Sequence, residues 1–129
     1  MQPGPLVIHA AKSRAGLAWA DQPAYRELIE QYDLDLTGLT FGAAIAVGEV
    51  WDVMPADEYV PFGGDYDELD WRLGDFSPGR WCFQFMSVWQ LPRPVPVTGR
   101  QGVWTVPEPA AESIRAQFSQ RPSYFIDRD

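Results

Sequence analysis

The stretch Trp81–Leu91 (WCFQFMSVWQL) constrains the fold more than any other part of the chain. Its odd positions are Trp81, Phe83, Phe85, Ser87 and Trp89, a nearly continuous aromatic face at the two-residue period of a β-strand. A helix would scatter these rings around its axis, so a chain built on this segment needs a sheet. Pro92, Pro94 and Pro96 follow, and they predict an extended segment that cannot donate along a central ladder.

The remaining elements are weaker but consistent. Leu6–Ala11 (LVIHAA) reads as a strand near the N-terminus, and 42–53 as a second, longer strand rich in small and β-branched residues. Gly48 inside it suggests a bulge or sharp bend, the device by which small sheets curl into barrels. Asp21 is placed to cap a helix over about 22–33 that accepts Pro23 in its first turn, with Tyr25, Leu28, Ile29 and Tyr32 at helical spacing. Residues 101–106 (QGVWTV) predict another short strand, and Pro107 opens a helix over about 108–119. The order is strand, helix, several strands, helix, with no repeating βαβ unit. This predicts an α+β fold in which a small mixed β-barrel carries peripheral helices. At 129 residues, 46% of them hydrophobic, one domain spanning 1–129 is expected.

Whole classes of chemistry are excluded by what the chain lacks. A single cysteine leaves no disulfide framework or multi-cysteine zinc site, and a single histidine leaves no HExxH-type metal site. There is no GxSxG elbow, Walker loop or GxGxxG fingerprint. The segment 65–70 faintly resembles a calcium loop, but Asp70 stands where glycine is needed and Phe76 where glutamate is needed. Neither a metal nor a cofactor is expected. No apolar run approaches the roughly 20 residues that span a bilayer, and no basic segment leads into an apolar signal core, so a cytoplasmic protein without membrane contact is expected.

The net charge of −8 argues against a generic polyanion binder, yet the charge is uneven. Residues 52–75 hold eight acids and one base and read as an acidic surface excursion, whereas the other 105 residues hold ten acids and nine bases. Two stretches contain no acid at all: 1–20, with Lys12 and Arg14, and 76–106, with Arg80, Arg93 and Arg100. Brought together in space, they would form a positive patch on an acidic protein. Arg80 and Arg100 each sit in a glycine-containing turn, and Trp81 and Trp104 follow them closely. Gly-framed arginines, a Lys/Arg pair and nearby indoles suit contact with phosphates and stacked bases. Each of these residues alone is equally an ordinary surface group. His9 interrupts an apolar strand and must hydrogen-bond if buried, while Cys82 lies within the aromatic strand, where a thiol is usually inert.

Taken in order, several segments resemble the ASCH domain family of the PUA-like superfamily. Gly4–Lys12 (GPLVIHAAK) is similar to that family's RG-x-x-x-IHA-x-K strand, and Gly42–Val50 to its central strand. The stretch from Phe76 through Val97–Trp104 (VTGRQGVW) resembles its long strand and the LPEPIPVKGKQGLW-type continuation, so the likeness covers about residues 4–108. It implies a PUA-like β-barrel with a role connected with RNA; some relatives of this fold are nucleoside amidohydrolases or ribonucleases. The family's N-terminal GxKxxExR segment, whose Lys, Glu and Arg line its cleft, has no counterpart, and Pro3 stands where the Arg before the IHA strand would fall. Loss of that segment, an upstream start or a trimmed chain would each account for this, and no catalytic residue is carried over.

Three functions remain open. The first is binding of RNA or single-stranded nucleic acid, with Lys12, Arg14, Arg80 and Arg100 on phosphates, Trp81 or Trp104 stacking on a base, and His9 hydrogen-bonding at the cleft floor. The second is an enzyme acting on a modified nucleoside or RNA, with Lys12 and Glu49 as an acid–base pair. The third is a protein-interaction module that docks a basic partner on the acidic 52–75 loop.

Overall fold

A computed structural model describes residues 4–58 and 76–122. It shows an α+β protein with a three-stranded antiparallel sheet, in the order β1 (Gly4–Ala10), β2 (Ala43–Pro55) and β3 (Trp81–Pro96). Two helices accompany it, α1 (Pro23–Gln31) and α2 (Ala110–Phe118), with a 3-10 segment at Ala15–Asp21 before α1 and another at Ala56–Glu58 after β2. Among the described residues, no helix is long and apolar enough to cross a membrane.

β2 is the central strand, and over residues 43–50 it is buried on both faces. Ala43, Ala44, Ala46, Val47 and Val50 are all buried. β1 pairs along its first half, from Ala10 opposite Ala43 to Gly4 opposite Val50. β3 pairs along nearly its whole length, from Pro96 opposite Ala43 to Trp81 opposite Pro55. The strand expected over 42–53 therefore runs two residues further, to Pro55, into the stretch assigned to the acidic excursion. The rest of that excursion, 59–75, lies outside the described residues.

The bend expected at Gly48 is displaced. Gly48 sits in regular register opposite Leu6 and Val88, and the irregularities of the β2–β3 ladder fall on either side of it, between Ala44 and Ala46 and between Glu49 and Asp52. Glycine is required here for space: a Cβ would overlap the Phe85 ring.

The proline-rich segment is extended, as the sequence suggested, and forms the second half of β3, an outer strand. An outer strand needs hydrogen bonds on one side only, which prolines tolerate. Between Ala46–Gln90 and Ala44–Val95, a single β2 residue, Ile45, faces Leu91, Pro92, Arg93 and Pro94. This wide bulge turns the Arg93 backbone outward, where α2 meets it. Gln117 is 3% exposed; its Nε2 donates to the Arg93 carbonyl at 2.9 Å, and its Oε1 accepts from the Arg93 N–H at 3.0 Å. One side-chain amide thus takes the place of a strand neighbour on the sheet edge. The core lies beneath this junction, where Ala44, Val47, Leu91, Val95 and Ile114 pack together with Trp89 and Phe118 at their margin.

The helices fall within two residues of their expected bounds. Asp21 does not cap α1: Gln22 holds the cap position, and Asp21 instead approaches Arg26 at 3.6 Å on the surface. At the start of α2, Glu108 accepts the Glu112 N–H at 3.0 Å and pairs with Arg115 at 2.7 Å. The Arg115 hydrogen bond holds the Glu108 carboxyl below its ordinary range.

Candidate functional site

Where β1 ends and β3 leaves the sheet, an open cleft of about 950 Å³ is lined by Val7, His9, Ala11, Lys12, Phe41 and Gly42 from one side and by residues 96–102 with Trp104 from the other. The two acid-free stretches of the sequence therefore do meet. Among the described residues, Lys12 and Arg100 line the cleft and no aspartate or glutamate does. Among the described residues neither cation forms an ion pair. A concavity lined by one sign of charge concentrates the potential, even on a chain of net −8.

Backbone geometry at the end of the ladder builds this cleft. Gly42 adopts φ +70, where other residues are strained, and its N–H donates to the Ala10 and Ala11 carbonyls at 2.9 and 3.2 Å. Its carbonyl accepts the Val97 N–H at 3.3 Å. The aliphatic stem of Lys12 lies beside Gly42, so the ammonium is carried to the cleft rim on a supported chain. Arg14 sits just beyond, its guanidinium 4.3 Å from the centre of the Phe41 ring.

His9 occupies the middle of the cleft wall. Its Nε2–H donates to the Val97 carbonyl at 2.7 Å, and its ring meets Trp104 edge-on, with centroids 5.7 Å apart and planes at 74°. The segment expected to be a strand at 101–106 is an irregular loop laid across this ring. Gly102 at φ +74 breaks the extended path, and the loop takes its anchorage from a side chain instead of a strand edge. A second, mostly apolar groove of about 530 Å³ continues from the first, sharing Val7, His9, Gly102 and Trp104 and adding Leu6, Phe83, Val103 and Val106.

Of the seven residues singled out from the sequence, His9, Lys12, Arg100 and Trp104 line the cleft, and Arg14 adjoins it through Phe41. Arg80 and Trp81 are elsewhere: Trp81 pairs with Pro55 at the opposite end of the β2–β3 ladder and is 64% exposed. Nearness to an aromatic strand in sequence did not reveal which end of that strand would carry the site. Phe41 and Gly99 were missed, since nothing in their sequence neighbourhood marks them as contacts of Arg14 and His9.

Lys12 and Glu49 are not a pair. Glu49 faces Pro5 across the sheet, and Lys12 lies seven residues further along the chain, about 20 Å at strand spacing. Glu49 is fully buried, and neither of its carboxylate oxygens has a hydrogen-bond partner among the described residues. Cys82 is half-buried opposite Met54, remote from His9. Among the described residues, no group of three or more His, Cys, Asp and Glu side chains could hold a metal ion.

No family model matches the chain, and neither a curated protein nor a solved structure matches it.

Proposed function

We propose that this chain binds RNA or single-stranded nucleic acid in the cleft at the end of the sheet. The observation that carries the reading is the convergence of Lys12 and Arg100, with Arg14 adjoining, on a concavity whose described lining holds no acid, in a strongly acidic protein. In this reading the three cations contact phosphates, and Trp104 offers a face to one base. Arg80 and Trp81 belong to the other end of the ladder and take no part. The same reading makes the three-stranded sheet part of a PUA-like barrel of the ASCH type. Two of the segments that carry that likeness, Gly4–Lys12 and Val97–Trp104, supply most of the residues that line the cleft.

The test is fluorescence anisotropy with a short single-stranded RNA at two salt concentrations. Affinity should fall steeply with salt, and Lys12→Ala and Arg100→Ala should each lower the salt slope by about one phosphate contact. An absence of binding at low salt, or a slope untouched by both variants, rejects the assignment.

A further inference from the structure

We infer that His9 is the positioning residue of the cleft: a latch that holds the Thr98–Gly102 turn, and with it Arg100, over the binding surface. The inference rests on the proposed cleft and adds the reason its cation is in place.

Arg100 lies on an irregular loop, and irregular loops are ordinarily free to explore many conformations. This one is fastened at three points around a single imidazole. Nε2–H holds the Val97 carbonyl on one side of the turn, and the Trp104 ring closes on the other. Between them, Gly99 lies so close that a Cβ there would stand 2.5 Å from Cε1 and 2.7 Å from Nδ1 of His9. Real Cβ atoms do not approach this closely, and the ring cannot swing aside without giving up its bond to Val97. Gly99 is therefore present for room. Its backbone lies outside the left-handed region, unlike that of Gly102 at φ +74. An alanine at Gly99 is compatible with the local backbone but incompatible with the latched ring.

Two kinds of variant separate the latch from simple structural support. Gly99→Ala adds one methyl group in an exposed turn, so it acts on the protein only through the displaced ring and should lower the melting temperature no more than His9→Leu does. His9→Leu keeps apolar volume but removes the donor. In both, trypsin should cut the Arg100–Gln101 bond several-fold faster than in the parent protein, measured against cutting at Arg14–Ala15 in the same sample. Both should also weaken RNA binding about tenfold and lower its salt slope by about one, as loss of Arg100 does. Combining Gly99→Ala with Arg100→Ala should cost no more than Arg100→Ala alone, because the two act through one contact.

A rescue completes the test. His9→Gln places an amide donor near the position of Nε2 and removes the ring carbon that Gly99 abuts. It should retain binding, and Gly99→Ala should be tolerated in that background. If Arg100–Gln101 is cut no faster in Gly99→Ala and His9→Leu than in the parent, the latch is rejected. Faster cutting in a protein that binds no RNA would uphold the latch while rejecting the cleft's assignment to nucleic acid.

Discussion

The two halves of β3 are one strand held by different means. From Trp81 to Gln90 every residue but Met86 is paired to β2, across two small register shifts, yet the side chains are largely exposed: Phe83, Phe85, Met86 and Val88 all stand partly in solvent. From Leu91 to Pro96 the pairing is interrupted by a wide bulge and three prolines, yet Leu91 and Val95 are buried and α2 covers the edge. Regular hydrogen bonding and burial thus part company along one strand. The half with the poorer ladder has the better core, because a hydrogen bond exchanged for one with water contributes little net, while apolar area removed from water contributes steadily.

The sharpest way to break this contrast is a pair of substitutions three residues apart. Leu91→Ala should cost about 2–5 kcal/mol, because it empties a site enclosed by Ile114 and its neighbours. Val88→Thr, on the half-exposed stretch, should stay within about 0.5 kcal/mol. Comparable losses for both in chemical denaturation would show that the two halves do not differ. Next in size is Gln117→Ala, expected to cost about 1–3 kcal/mol because the Arg93 N–H and C=O lose their shared partner. Gln117→Glu, which can accept but not donate when ionised, should recover only part of that loss. Full recovery would contradict the two-bond account.

The first half can be probed where β2 supports it. Gly48→Ala should cost about 1–2 kcal/mol by driving the Phe85 ring off the strand. A neutral outcome would mean that the half-exposed ring moves aside freely. Glu49, opposite Ser87, should instead yield a gain. Replacing its carboxyl, which has no hydrogen-bond partner among the described residues, with the similar volume of Glu49→Met should stabilise by about 1 kcal/mol. A loss there would reveal a partner for the carboxylate.

The smallest effect belongs to Glu108, which is exposed. The Arg115 hydrogen bond lowers its folded-state pKa, so its contribution is present above the unfolded carboxylate value of about 4 and fades as pH falls through the folded value. Glu108→Gln should lie slightly below the parent in melting temperature at neutral pH, and the two should converge in acid. A gap that widens in acid would reverse the sign of that linkage.

What the sequence disclosed, and what it concealed, follows the range of the forces involved. The positions of α1, β2 and α2 were legible because periodicity and proline placement act within a few residues. The route of 101–106 was not, since Trp104 packs against His9, some ninety residues away in the chain. The same holds for Gln117, an unremarkable polar residue on a helix until Arg93 presents its backbone. Among the cleft residues, His9, Lys12, Arg14, Arg100 and Trp104 could be named as candidates because cations and indoles are conspicuous in acid-free stretches. That Arg80 and Trp81 would be carried off by the length of β3 could not be read, because local pattern fixes a strand's period and not its destination.

The bulge at Leu91–Pro94 also has a mechanical consequence. β1 and β3 lie on opposite sides of β2, yet the chain leaving β3 is tied to β1 through Val97 and His9, and to the start of β2 through Gly42. At that end the sheet is hemmed, each strand stitched to the others across its margin; at the Trp81–Pro55 end, β2 and β3 pair without β1. Under tension or thermal agitation such a sheet unzips in one direction, from the open margin toward the hem, so amide protons near Ala43 and Val97 should be the last of the ladder to exchange with solvent.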